Sequence, residues 1–304
     1  MKLAAGCFQL PRNFNLRKVT EQTRRTSLRC NTMSQGRPHN LAGKKYLITG
    51  STDGIGQHTA SKLLAAGADV IIHGRNPKKL AEISKILASA AKGGKIASYL
   101  CDLGSFADIR HFAEAVKAEH STINVLINNA GVFENSKSLS KDGYEMTWAI
   151  NVLAPFLLTS LLKDIITEHI VNVSSISAGR SIDFDNLQQE KGYSGDDSYA
   201  LSKLASMMFT YDLAELMKPK GVTVNCLDPG TVNTKLLIAG WGACGIDIKD
   251  ADFEYQLATD PSLAKETGKY YVDGSQSRSP TVSHDPSVRK RLWRIMAEQT
   301  GASY

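Results

Sequence analysis

The chain has 304 residues, 42% of them hydrophobic and 22% charged, which is enough apolar chain for a folded core that depends on neither disulfide nor metal. Its formal net charge is +6, but residues 1–40 carry eight of the 36 basic residues and one of the 30 acidic ones, leaving 28 against 29 in the remainder. A remainder with no excess of positive charge lacks the electrostatic footprint of a nucleic-acid binder.

Residues 1–40 form a basic leader rich in Arg, Ser and Thr, with Glu21 as its one acid. These are the marks of an organelle transit peptide, plastid or mitochondrial; a plain disordered tail on a cytoplasmic protein is the alternative. No run in the sequence reaches the ~20 apolar residues of a membrane span. Five cysteines (Cys7, Cys30, Cys101, Cys226 and Cys244), odd in number and without a C-x-x-C pair, point to buried free thiols in a reducing compartment. The seven histidines show no ligand spacing, and no metal site is expected.

From residue 44 onward, short apolar runs alternate with longer amphipathic stretches. Tyr46, Leu47 and Ile48 predict a first strand, followed by a helix over 54–66. Residues 70–72 predict a second strand and 77–91 a second helix; 96–100 a third strand and 105–119 a helix capped by Ser105. A fourth strand over 125–127 precedes a long helix over 141–166, and a fifth strand covers 170–173. A helix over 198–217 is stopped by Pro219 and Gly221; then come a sixth strand over 222–226, a seventh over 269–272 and a closing helix over 286–296. Continuously apolar strands are buried on both faces, and their alternation with helices implies parallel pairing through right-handed crossovers. The expected fold is α/β: a single doubly wound Rossmann domain over 41–304 with a mostly parallel seven-stranded sheet. Residues 230–252, with Gly240, Gly242 and Gly245, break the rhythm and read as a mobile loop.

Two motifs carry the first chemistry. Thr49-Gly50-Ser51-Thr52-Asp53-Gly54-Ile55-Gly56 joins the first strand to the first helix. Glycines there permit a tight turn and a close approach to phosphates, and the helix N-terminus aims free N–H groups at them. At the end of the second strand, His73-Gly74-Arg75-Asn76 offers no acid to hold a ribose 2′-hydroxyl and instead offers the Arg75 guanidinium, suited to a 2′-phosphate. The expected cofactor is therefore NADP(H).

With these motifs and those that follow, the chain resembles the short-chain dehydrogenase/reductase family. Cys101-Asp102-Leu103 matches the element that contacts adenine, and Asn128-Asn129-Ala130-Gly131 the one that lines the cofactor site. Asp228-Pro229-Gly230, with Val232 and Thr234, matches the element on the nicotinamide side, and Tyr199 and Lys203 form the Y-x-x-x-K pair. Asn151 and Ser175 fall where the family's catalytic Asn and Ser fall; Ser175 is preferred to Ser174 because the family uses the second serine. The resemblance implies hydride exchange between a nicotinamide and a carbonyl/alcohol pair. Tyr199 would be the proton-transferring residue, the Lys203 ammonium and the positive nicotinamide of the oxidised cofactor would together lower its pKa, Lys203 would also hold ribose hydroxyls, Ser175 would orient the substrate oxygen, and Asn151 would anchor a relay water.

Ser175 and Tyr199 lie 24 residues apart, and the intervening segment contains Phe184, Leu187, Glu190, Lys191 and Tyr193. That insert resembles the retinol-dehydrogenase-like branch, which implies a small, lipophilic alcohol or carbonyl substrate. The basic leader departs from the apolar anchor of the branch's membrane-bound members. The resemblance also implies a homodimer through the helices over 141–166 and 198–217, with Met208 and Phe209 either in the core or at the interface. A non-catalytic NADP(H)-binding sensor or scaffold is the alternative, against which stands the complete set of Asn151, Ser175, Tyr199 and Lys203.

Overall fold

The computed structural model describes residues 40–304; the basic leader, its candidate targeting signal, and Cys7 and Cys30 lie outside them. The strands are β1 (Lys45–Ile48), β2 (Asp69–Gly74), β3 (Ile96–Leu100), β4 (Ile123–Asn128), β5 (Ile166–Val173), β6 (Thr223–Asp228), β7 (Lys269–Val272) and β8 (Ser275–Ser277). The α-helices are α1 (Gly54–Ala65), α2 (Pro77–Ala90), α3 (Phe106–Glu119), α4 (Met146–Trp148), α5 (Ala154–Leu162), α6 (Gly195–Met217), α7 (Lys235–Trp241), α8 (Phe253–Thr259) and α9 (Pro286–Thr300). The sheet order is β3-β2-β1-β4-β5-β6-β7-β8, and every neighbouring pair is parallel except β7 with β8. Strand order reverses between β1 and β4, so the loops leaving their carboxyl ends diverge and open a crevice, the usual ligand site of such sheets.

Period-two alternation sends successive side chains into two different cores. Leu47, Ile71, Leu126 and Ile170 pack on one face with Phe112 of α3, Phe156 of α5 and Leu204 of α6. Ile48, Ile72, Ile127 and Val171 pack on the other with Leu63 of α1, Leu80 of α2 and Leu257 of α8. Each such side chain contributes roughly 1.5–3 kcal/mol on burial, against about 0–1 for an exposed ion pair, so these two layers hold the sheet. Local signals set the helix starts. Asp53, Asn76 and Ser105 cap α1, α2 and α3 through their side chains.

The structure differs from the expected elements in several places. The sheet has eight strands, not seven. The added β8 forms a hairpin with β7 through Asp273 and Gly274, at φ of 51° and 70°, which is the Asp-Gly turn chemistry that favours tight hairpins. The predicted helix over 141–166 is broken: Leu139 bridges to Glu145, α4 passes through a π turn (Ala149–Leu153) into α5, and β5 already begins at Ile166. Pro155 has no N–H for the carbonyl of Asn151, so the ordinary helical ladder cannot continue across it, and Ala154 donates to Ala149 in the wider pattern. Residues 230–252 are not a bare loop, because Thr234 caps the short helix α7. Cys101 and Cys226 are buried, but Cys244, in this surface segment, is exposed.

Met208 and Phe209 belong to the core. Phe209 meets Trp293 of α9 and Tyr304 at centroid distances of 5.9 and 6.3 Å, and Phe156 meets the same two rings at 5.0 and 4.9 Å. The C-terminal helix and tail therefore cover the side of α5 and α6 that carries Phe156 and Phe209. Among the described residues no helix is long and apolar enough to cross a membrane, and no group of His, Cys, Asp or Glu is placed to hold a metal.

His73, His169 and Glu254 are three of the buried groups that contribute to the pH response. His73 accepts from the Gly50 N–H at Nδ1 and meets the Cys101 carbonyl at Nε2, so it carries its proton on Nε2, and burial lowers its pKa to about 4. Burial also lowers His169 to about 4. Both have depressed pKa values, so the unfolded chain binds more protons between pH 6.5 and 4, and stability falls as pH drops through that window. Glu254 is the opposite case: among the described residues neither carboxyl oxygen has a hydrogen-bond partner, and burial raises its pKa to about 7. Its contribution is complete below the unfolded value and is lost as pH rises toward 7. Glu254→Gln is expected to raise the unfolding free energy from urea denaturation at pH 8 more than at pH 5, by a difference on the order of 2 kcal/mol; equal effects at both pH values would contradict a carboxyl held neutral.

Candidate active site

The site is built where the loops after β1, β4, β5 and β6 converge. Thr49 and Asn129 lock the first two of these together. The Thr49 hydroxyl accepts from the backbone N–H groups of Asn129 and Ala130 at 3.1 and 3.0 Å, while the Asn129 amide donates to the Thr49 carbonyl at 2.7 Å. Packing here leaves no space for side chains. A Cβ on Gly56 would lie 2.3 Å from Asn129 Nδ2, and one on Gly74 would lie 2.5 Å from Thr52 Cγ2. Gly50, at φ 68°, would place a Cβ 2.9 Å from Ala130 Cα. Helix α1 thus begins against the loop after β4, with its N-terminal N–H groups directed along the crevice, a cradle suited to a pyrophosphate.

The expected cofactor residues divide by placement. Ser51 is fully buried. Its N–H donates to the His73 carbonyl, and its hydroxyl donates to Ile48 and accepts from His73, so it staples β1 to β2. Asp53 accepts from the Gly54 N–H and pairs with Lys79 and Lys235 at 2.5 and 2.8 Å, contacts that outweigh its partial burial and lower its pKa to about 2. Gly54 and Ile55 are half-buried on α1; a Cβ on Gly54 would lie 3.3 Å from Thr234 Cγ2, which brings the loop after β6 over the glycine loop. Arg75 is exposed just past the end of β2 and, among the described residues, makes no hydrogen bond or ion pair. Asp102 accepts from the Gly104 N–H and pairs with Lys141, while Leu103 turns into the core. In the loop after β6, Pro229 is half-buried, the Gly230 N–H donates to Asp228, Val232 is buried and Thr234 caps α7. Leu103 and Val232 are thus buried within the protein, while the Asp102 carboxylate stays partly exposed with acceptor capacity to spare.

The four candidate catalytic side chains do meet. A Cβ on Gly131 would lie 3.5 Å from Asn151 Oδ1 and 3.7 Å from Lys203 Nζ. Lys203 Nζ sits 5.3 Å from the centre of the Tyr199 ring, one helical turn away on α6. The Ser175 hydroxyl faces the Tyr199 phenol and favours its ionised form against the opposing effects of burial and Asp228. Ser174 instead turns inward and donates to the Lys203 carbonyl at 2.9 Å. Asn151 is fixed by two bonds to the Val132 backbone, at 2.8 and 3.0 Å, and donates to Ser202 at 3.0 Å. Behind them a buried amide ladder runs Asn128–Asn172–Thr210 and ties β4 and β5 to α6.

In the polypeptide itself burial dominates at Tyr199, with the Asp228 carboxylate adding to it, and the phenol's pKa is raised; the expected lowering concerns the site with both the Lys203 ammonium and an oxidised nicotinamide beside the phenol. Lys203 is buried too. Desolvation lowers its pKa to about 8 even though Asp228 opposes the shift, and its ammonium makes one hydrogen bond among the described residues, to the Val173 carbonyl at 2.9 Å. Two strong donors of a buried cation therefore remain for a ligand in the crevice.

Sequence reasoning missed Phe133, whose ring lies 5.6 Å from Tyr199 and 4.8 Å from Trp241, with Trp241 5.5 Å from Tyr199. The three rings form an apolar wall at the reacting end. No local signal marks Phe133, since its role depends on α7 folding back over it. Glu145, buried beside the site, was missed as well.

The sequence model of the family described as short chain dehydrogenase matches residues 44–240. Human polyprenol dehydrogenase is 33% identical over 278 residues, covering 84% of each chain. Human retinol dehydrogenase 14 is 32% identical over 298 residues, covering 88% of this chain and 89% of that one. Among solved structures, a short chain dehydrogenase from Burkholderia cenocepacia in complex with NADP superposes with a TM-score of 0.64 at 25% identity, covering 78% of this chain and 99% of that one. The glycine cradle yields a direct test. Gly56→Ala must displace Asn129, which is expected to lower unfolding free energy by about 1–3 kcal/mol and to weaken dinucleotide binding in a fluorescence titration; unchanged binding would remove this loop from the ligand site.

Proposed function

The chain belongs to the short-chain dehydrogenase family, in its retinol-dehydrogenase-like branch, and on that premise we propose that it is an NADP(H)-dependent oxidoreductase interconverting a lipophilic carbonyl and its alcohol. The observation that carries the reading is the convergence of Tyr199, Lys203, Ser175 and Asn151 at one end of a crevice whose other end is a glycine cradle. A scaffold that only bound nucleotide would have no use for a buried phenol facing a serine.

The residues present fit the cofactor. The N-terminus of α1 suits its pyrophosphate, Arg75 its 2′-phosphate, and the two remaining donors of Lys203 its nicotinamide ribose. The complex of the Burkholderia cenocepacia relative with NADP supports the same choice. When bound, the nicotinamide supplies or accepts a hydride at the substrate carbon.

In reduction, Tyr199 gives its phenolic proton to the carbonyl oxygen as the carbon gains the hydride, leaving an alcohol. Ser175 orients that oxygen by hydrogen bonding. The raised pKa of Tyr199 keeps it protonated at neutral pH, so the polypeptide is poised as a proton donor. The Lys203 ammonium stabilises the phenolate left behind. Asn151, pinned at a π turn of the kind that recurs at functional sites, anchors the water that returns a proton. Phe133 and Trp241 supply the apolar wall for a lipophilic substrate.

Three measurements test this. Tyr199→Phe is expected to lower kcat for NADPH-dependent carbonyl reduction by about 10²–10⁴ while leaving NADPH affinity within a few-fold; residual activity near wild type would reject Tyr199 as the acid. Arg75→Ala is expected to weaken NADPH binding by tenfold or more and NADH binding little, since it removes only a phosphate partner. The third concerns pH: Lys203 loses its charge as pH rises past about 8, so kcat/KM for reduction should fall above that pH. A profile flat to pH 10 would contradict the role of the ammonium.

A further inference from the structure

Glu145 is completely buried and lies outside the catalytic set. Its carboxylate caps α4, the helix that leads into the π turn bearing Asn151. Oε1 accepts from the Thr147 N–H at 2.9 Å and Oε2 from the Trp148 N–H at 2.8 Å. Oε2 also accepts from the Ser198 hydroxyl at 2.8 Å, and Ser198 immediately precedes Tyr199 on α6. One carboxylate thus spans the helix start that carries Asn151 and the turn that carries Tyr199.

The segment inserted between Ser175 and Tyr199 closes on the same residue. The Glu145 N–H donates to Gln188 Oε1 at 2.8 Å. Tyr193 donates its hydroxyl proton to the Glu134 carbonyl at 2.8 Å, and its oxygen lies 3.4 Å from Glu145 Oε1. Gly195, the first residue of α6, approaches so closely that a Cβ there would lie 2.5 Å from the Glu134 carbonyl and 3.2 Å from the Phe133 ring. The insert, the loop bearing Phe133 and the start of α6 are thereby packed into one unit around the carboxylate.

We propose that Glu145 is a positioning residue for hydride transfer: its carboxylate fixes the register between the Asn151 turn and the Tyr199 helix, and the inserted segment exists to seal and brace it. The proposal rests on the oxidoreductase reading above. The chemistry demands a carboxylate. The two backbone N–H groups and the Ser198 hydroxyl all donate, and each oxygen takes at least one of these bonds. A carboxamide would turn an NH₂ toward one of the two backbone donors, which cannot reverse its polarity. Charge-assisted bonds to backbone N–H groups at a helix start are among the stronger contacts available to a buried carboxylate. Misplacement of a proton donor by a fraction of an ångström lowers the chemical rate more than it lowers binding.

The test compares Ser198→Ala, Ser198→Thr and Glu145→Gln with wild type. It uses NADPH-dependent carbonyl reduction and the ¹³Cζ signal of Tyr199 in tyrosine-labelled protein, assigned with Tyr199→Phe. Ser198→Ala is expected to lower kcat about tenfold with KM changed less than about twofold, and to move the Tyr199 signal. Ser198→Thr keeps the hydroxyl and is expected to restore both, and Glu145→Gln is expected to exceed Ser198→Ala in both readouts. Unchanged kcat and an unmoved signal in Ser198→Ala overturn the proposal. So does a loss of melting temperature with kcat and NADPH affinity falling in parallel, unrestored by threonine, because that pattern assigns Glu145 to stability alone. If wild type reduces no carbonyl, the oxidoreductase reading fails, and the Tyr199 signal in Ser198→Ala still decides whether Glu145 sets the register.

Discussion

A buried ammonium with one acceptor among the described residues is the constraint around which this site is arranged. Lys203 is nearly inaccessible, its ammonium bonds the Val173 carbonyl, and desolvation presses it toward the neutral form. A lysine in that condition is costly unless its remaining donors and its charge are satisfied. Asp228, buried below, supplies part of the compensating charge. The rest of the demand faces the crevice, and that makes the crevice selective for a ligand rich in oxygen acceptors. The same charge lies beside the phenol of Tyr199, so in the proposed reaction one residue would both hold the cofactor and stabilise the phenolate.

Such a site functions only if groups from four loops keep fixed distances, and the fold secures this with buried polar links instead of apolar packing alone. Thr49 and Asn129 join the loops after β1 and β4. Asn128, Asn172 and Thr210 join β4 and β5 to α6. Asp228 accepts from Ile176 and Gly230, so the loops after β5 and β6 move together. Hydrogen bonds are directional where apolar contacts are not, so each link specifies a register as well as a distance. The substrate end is treated differently. There Phe133, Trp241 and Tyr199 pack ring against ring, and α7 has no buried residue of its own.

Much of the frame was legible because it is local. Period-two and helical patterns gave the alternation of strands and helices, and the ends of the central strands then followed from sterics and burial. Where reading failed, a non-local or small local cause intervened. Pro155 splits what periodicity shows as one helix, since an apolar pattern does not register a missing N–H. The β7–β8 hairpin escaped notice because its second strand is short and polar, although Asp273 and Gly274 carry the turn signal. Met208 and Phe209 read equally well as core or interface until α9 and Tyr304 were seen to cover them.

By itself the sequence determined the chemical inventory and its placement along the chain: glycines where a strand meets a helix, a phenol and an amine one helical turn apart, and an arginine where an acid would exclude phosphate. These follow from bonding geometry within a few residues. Tertiary structure alone decided which groups face one another. It turned Ser174 inward and Ser175 toward the phenol, buried Ser51 as a staple, and brought Glu145 against Ser198 and Phe133 against Trp241. It also set the sign of the shift at Tyr199, because desolvation is a property of everything packed around a group and no stretch of sequence contains it.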